Sequence, residues 1–135
     1  MVSDVIYNKM AIIERCLNRI REEYDNNPNN LKSFTKQDSI ILNIQRACEA
    51  CIDVAMHIVA EKKLGIPQNS RDAFEILNSN GLITNMQSKK LKNMIGFGNI
   101  AVHDYQTVSI NIVEEIIEKH LNDFEDFTKT IIHII

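Results

Sequence analysis

Proline is almost missing from this chain, and the two that occur, Pro28 and Pro67, fall between stretches with helical patterning. Runs that alternate apolar and polar residues are few. Of the dipeptides that turn hairpins, only Asn80-Gly81 is present, so there is little from which to build a sheet. No apolar run approaches the roughly 18 residues that a membrane span requires. The opening residues Met1-Val2-Ser3-Asp4 lack a basic stretch followed by an apolar one, so no signal peptide is expected. Net positive charge is also lacking: 15 Lys and Arg against 18 Asp and Glu give −3. Proteins that coat long nucleic acid are usually basic, which argues against broad coating and leaves room for a local basic cleft. Cysteine is limited to Cys16, Cys48 and Cys51, an odd number without a regular framework, as fits a reducing cytoplasm. Cys48 and Cys51 form a CxxC, but no second Cys/His pair stands at zinc-site spacing, so the two read as small apolar residues inside a helix. There is no internal repeat and no low-complexity tract.

What the chain does have is helical periodicity. Its 135 residues, 44% hydrophobic and 24% charged, suit one soluble domain spanning residues 1–135. Ile6, Met10, Ile13, Leu17, Ile20 and Tyr24 recur every four and three residues, which predicts a helix over 3–24 with one narrow buried stripe. The run 25–30 should turn the chain. A second helix is expected from near Thr35, with Thr35 and Asp38 as a variant capping box, ending at Gly65. Its wide apolar arc, from Ile40 to Val59, predicts burial by neighbours on more than one side. A short third helix fits 70–79, capped by Asn69 or Ser70. Thr84 and Gln87 then form a capping box for a fourth helix, which should weaken at Gly96 and Gly98. A fifth helix is expected from about Ser109 to the end, with Val113, Ile117, His120, Phe124, Phe127, Ile131 and Ile134 on one stripe. Its very apolar end, 131–135, should either pack or serve a subunit interface. The fold class is therefore all-α: an antiparallel four-helix bundle with an additional short helix.

Chemistry concentrates between the fourth and fifth helices, in Gly96-Phe97-Gly98-Asn99-Ile100-Ala101-Val102-His103-Asp104-Tyr105. His57, His120 and His133 lie in apolar patterning and read as structural. His103 differs because of its company. A histidine works as acid or base near neutral pH. Asn99 stands four residues earlier, so on a helix the two share a face. Tyr105 brings a hydroxyl to the same neighbourhood. No cluster of acidic residues suggests a metal, and no cofactor is expected.

The stretch from Asn99 to Tyr105 resembles the signature of HepT-like proteins, a branch of the HEPN superfamily: Arg, a polar residue, three residues, His, any residue, Tyr. Leu42 to Asp53 and Ile66 to Phe74 are similar to the second helix of that branch and the segment after it. The resemblance covers roughly residues 35–108. It implies an all-α homodimer, a metal-independent endoribonuclease acting as the toxin of a toxin–antitoxin pair, and a nucleotidyltransferase antitoxin as partner. By the same resemblance His103 is the acid or base, Asn99 a positioning polar group, and Tyr105 the acceptor of AMP units from the antitoxin. Two motifs would meet across the dimer in one RNA site.

One position departs from the pattern. The motif's arginine should stand five residues before His103, where this chain has Gly98. Glycine offers neither charge nor donor, and a nearby Arg46 or Lys92 is a different group in a different place. The expectation is a ribonuclease disarmed at Gly98, with a non-catalytic HEPN dimer that binds RNA, nucleotide or antitoxin as the alternative. A purely structural scaffold leaves Asn99, His103 and Tyr105 without a reason. Gly98 makes the chain either a naturally degenerate member or a deliberately disarmed one; an active toxin hinders its own production, which favours the second.

Overall fold

The computed structural model describes the backbone of residues 2–103 and 109–135, and side chains for 4–98 and 109–135. Among the described residues six α-helices follow one another: α1 (Val2–Tyr24), α2 (Phe34–Glu61), α3 (Ser70–Ser79), α4 (Asn85–His103), α5 (Ile110–Glu115) and α6 (Leu121–Ile134). A 3-10 turn at Pro28–Lys32 precedes α2, and a π-helical turn at Ile116–His120 joins α5 to α6. There is no strand among the described residues. The four long pieces α1, α2, α4 and α5–α6 close a ring of antiparallel neighbours, and α3 packs outside against α2 and α4. This is the expected bundle with one additional short helix.

The α1 stripe is buried at every expected position, Ile6 to Tyr24, and gains Cys16. Its main partner is α2, which buries Ile40, Ile41, Ile44, Ala47, Cys48, Cys51, Val54, Ala55, Ile58 and Val59 against neighbours on several sides. Lys9 of α1 pairs with Asp53 of α2 at 3.0 Å. Tyr24 at the end of α1 donates a hydrogen bond to Glu118 in the π turn. Phe74 of α3 meets Phe127 of α6 edge to face at 5.7 Å, fixing the outer helix to the bundle.

Three local expectations need correction. The cap of α2 is Ser33, two residues earlier than Thr35: its Oγ accepts from the Lys36 N–H at 3.4 Å. The Pro28–Lys32 turn buries Leu31 and delivers Ser33 to that place. At its other end α2 stops at Glu61, before Gly65. The Leu64 N–H bonds the Val59 carbonyl and the Lys63 N–H bonds Ala60, with Lys63 itself at φ 54°. That closing pattern places a lysine in the left-handed position usual for glycine. Third, the last helix is not α-helical throughout, because a π turn interrupts it. The π turn adds residues to one coil and shifts the stripe, so Leu121 is buried where His120 was expected to be. His120 instead points its Nδ1 at Asp123 Oδ2, 3.1 Å away.

Two other caps stand where the sequence puts them. Asn69 Oδ1 accepts from the Asp72 N–H at 3.0 Å. Thr84 and Gln87 exchange bonds, Gln87 N–H to Thr84 Oγ1 at 3.1 Å and Thr84 N–H to Gln87 Oε1 at 3.0 Å. Of the apolar C-terminus only Ile131 is fully buried, while Ile132 and Ile135 are half exposed. No helix among the described residues is long and apolar enough to cross a membrane.

Candidate functional site

The expected weakening of the fourth helix at its glycines does not end it: α4 runs unbroken through Gly96 and Gly98 to His103. Close packing supplies what local propensity lacks. A Cβ built on Gly98 would stand 3.5 Å from Cβ and 3.8 Å from Sγ of Cys48 on α2. The Cys48 thiol also donates to the Met94 carbonyl at 3.4 Å, one turn earlier on α4. α4 is thus seated on α2 along Met94 and Gly98, and Phe97 is buried beside them.

Because the helix is continuous, positions 99 and 103 lie one turn apart on one face, as the sequence spacing predicts. Position 98 lies about 140° round the helix from 103, at 100° per residue, and faces α2. Within one chain, therefore, position 98 does not share the face of positions 99 and 103. Tyr105 lies outside the described residues, as does Asp104.

Neither substitute cation considered for Gly98 takes over its place. Lys92 is paired with Glu75 of α3. Arg46 is exposed and acts on Cys16 of α1. A third cation escaped notice in the sequence. Arg71 of α3 lies over α4, with Nη2 3.3 Å from where a Cβ on Gly96 would stand. Only the bare glycine signals such an approach in the sequence, and it reads equally well as a weak helix.

Cys48 and Cys51 are the small core residues that their place in the helix suggests, and Cys16 is buried with them. All three are buried, free thiols. Burial, with Glu49 nearby, pushes the Cys48 thiol up to about 12, and burial raises Cys51 and Cys16 as well. A thiol held neutral is a poor nucleophile. Among the described residues, no group of three or more His, Cys, Asp or Glu is placed to hold a metal ion.

A second polar group sits on the opposite side of α4, where Lys90, Asn93, Met94 and Phe97 face His120 and Asp123 across a cavity of about 200 Å³. Asp123 is buried there between His120 and the Lys90 ammonium at 3.7 Å. It anchors the π turn to α4. The other histidines are less engaged, with His57 half-buried and His133 exposed.

Comparison with known proteins covers almost the whole chain. The family model described as Ribonuclease HepT-like matches residues 13–131. The "mRNA nuclease HepT" of Shewanella oneidensis is 51% identical over 130 residues, which is 96% of this chain and 98% of that protein. Two solved structures superpose closely. A tri-AMPylated Shewanella oneidensis HEPN toxin in complex with MNT antitoxin has a TM-score of 0.90 and 52% identity, covering 95% of this chain and 96% of that one. A toxin–antitoxin structure with AMP-PNP has a TM-score of 0.91 and 51% identity, covering 95% and 97%.

Proposed function

The chain belongs to the ribonuclease HepT-like family, and on that premise we propose that it is the toxin of a toxin–antitoxin pair, a HEPN-class endoribonuclease of the cytoplasm. One observation carries this reading: 51% identity across 96% of the chain with a protein named as an mRNA nuclease. At that likeness the two proteins share one fold.

In this reading His103 removes the proton from an RNA 2′-hydroxyl, and the freed oxygen attacks the adjacent phosphorus. The bond to the 5′-oxygen breaks, and that oxygen leaves with a proton. The products are a cyclic 2′,3′-phosphate and a 5′-hydroxyl. Asn99 orients the phosphate. The charge that gathers on the phosphate oxygens calls for a guanidinium, and Gly98 supplies none. Losing one such donor lowers the rate roughly 10²–10³-fold, so the chain as written cleaves RNA weakly. In a homodimer the two copies of His103 line one cleft. The half-exposed Ile132 and Ile135 are apolar surface of the kind a partner copy covers.

The partner is a nucleotidyltransferase antitoxin that silences the toxin by modifying Tyr105. The tyrosine oxygen attacks the α-phosphorus of ATP, the phosphodiester forms and pyrophosphate leaves. Each AMP brings one negative charge and a bulky base to a point two residues from His103, where they repel and block an incoming RNA phosphate. The relative that carries three AMP units in complex with its MNT antitoxin supports this reading.

The test is reconstitution with the nucleotidyltransferase, ATP and magnesium, followed by mass spectrometry. A gain in multiples of AMP that disappears in Tyr105→Phe is the expected outcome. Modification that continues unchanged in Tyr105→Phe assigns the acceptor elsewhere. The alternative, a HEPN dimer that binds without cutting, draws on Gly98 alone.

A further inference from the structure

α3 and α4 run antiparallel, and their seam carries charge in a definite order. At its foot Lys92 of α4 pairs with Glu75 of α3. One turn along, the guanidinium of Arg71 lies over Gly96, with Nη2 3.3 Å from the point a Cβ would occupy. Positions 92, 96, 99 and 103 fall within about 60° of one another on a helix of 3.6 residues per turn. The line that begins with the Glu75–Lys92 pair therefore passes under Arg71 and continues to the positions of Asn99 and His103. Position 103 lies seven residues beyond 96, about 10.5 Å along the axis at 1.5 Å per residue.

No ion pair holds the Arg71 guanidinium along this line among the described residues. Glu75 is occupied by Lys92. The Asp72 carboxylate, next to Arg71 in sequence, accepts from the Gln68 N–H at 2.8 Å. Arg71 is exposed, and no carboxylate pairs with it among the described residues. Gly96 gives this arrangement its room. A Cβ at this position would stand 3.3 Å from Nη2, tighter than an ordinary contact, so a larger side chain would have to move the guanidinium aside.

We propose that Arg71 contacts an RNA phosphate beside the Asn99–His103 face of α4, reaching it across Gly96. The proposal rests on the ribonuclease reading and adds a substrate contact that the family motif does not contain. A guanidinium fork suits a phosphate, and its place about 10.5 Å from position 103 along the helix assigns it a phosphate neighbouring the cut, not the one attacked. Arg71 therefore acts on affinity and register. It does not replace the missing charge at Gly98, and the low cleavage rate stands.

The experiment is fluorescence anisotropy with a labelled single-stranded RNA, at several salt concentrations, on the full chain and on Arg71→Ala, Arg71→Lys and Gly96→Leu. Thermal unfolding checks that each variant folds. Arg71→Ala is expected to weaken binding about tenfold and to lower the salt slope by about 0.7, the value for one phosphate on a single strand. Arg71→Lys should keep the slope and lose part of the affinity. Gly96→Leu, which displaces the guanidinium while keeping its charge, should weaken binding as well. Unchanged affinity and slope in Arg71→Ala, with the parent chain binding RNA, overturns the proposal and leaves the ribonuclease reading intact. A parent chain that binds no RNA, together with a Gly98→Arg variant that cuts none, overturns that reading and this inference with it.

Discussion

Cys48 of α2 closes the space beside Gly98 of α4: a Cβ on the glycine would meet the cysteine Cβ at 3.5 Å, an ordinary contact distance. A methyl group therefore fits, and Gly98 has no positive φ to preserve. Gly98→Ala is expected to stabilise the chain by about 0.5–1 kcal/mol, a few degrees in Tm, by removing backbone freedom from the unfolded state. Calorimetry on the two proteins checks it. A fall in Tm would mean that α4 and α2 approach more closely than this contact allows.

Alkali should unfold the protein through its buried thiols. Burial raises Cys48 to about 12, above the ordinary value of 9.0 that applies when it is unfolded. A raised folded value keeps its stabilisation intact below pH 9 and loses it progressively between about 9 and 12, because the unfolded chain releases the proton first. The slope from Cys48 alone is about 1.4 kcal/mol per pH unit in that window. Cys51 and Tyr24, both raised, steepen the loss. Urea titrations at pH 8 and pH 10.5 should show a marked drop in the parent chain and a smaller one in Cys48→Ala. Equal drops in both would remove Cys48 from the account.

Gln87 serves two helices at once. It completes the cap of α4 with Thr84, and its Nε2 donates to Thr130 Oγ1 of α6 at 2.8 Å. Thr84→Ala removes only the cap bond that Oγ1 accepts from the Gln87 N–H and should cost about 1 kcal/mol. Gln87→Ala keeps that bond, whose donor is the backbone N–H, and removes the reciprocal bond from the Thr84 N–H together with the cross-link to Thr130; it should cost more, as denaturant midpoints at constant m would show. If Thr84→Ala proves the costlier of the two, the link to α6 contributes nothing.

Light scattering at micromolar concentration should give twice the chain mass. A monomer there would remove the shared cleft from the mechanism.

Much of this was legible in the residues themselves. The α1 stripe and the α2 arc were readable because a buried helix face must repeat every three to four residues, and nothing else in the chain competes with that pattern. The Thr84–Gln87 cap was readable because both partners are local. Reading failed where a distant neighbour decides. Two glycines point to a weak end of α4, yet the helix runs on to His103 with Gly98 packed against Cys48 of α2. The stripe of the last helix is right at Val113, at Ile117 and from Phe124 to Ile131, but it puts His120 where Leu121 is buried, since no local signal marks a π turn. Lys63 closes α2 in a conformation that its type disfavours, and the sequence pointed to Gly65 instead. Of the candidate site, the spacing of Asn99 and His103 sufficed to place both on one helix face, whereas Arg71 is invisible without the fold. The roles of Gly98, Asn99, His103 and Tyr105 rest on the family motif.

In the proposed function this chain is a ribonuclease whose motif is complete except at Gly98. The most direct measurement is cleavage of a defined RNA in the presence of chelator by the parent chain, by Gly98→Arg, and by Gly98→Arg with His103→Ala. Weak cutting by the parent is expected, with a rise of roughly 10²–10³-fold on restoring the arginine and loss of that gain when His103 is removed. Cutting by the parent at the same rate as Gly98→Arg, or cutting that survives His103→Ala, would contradict it.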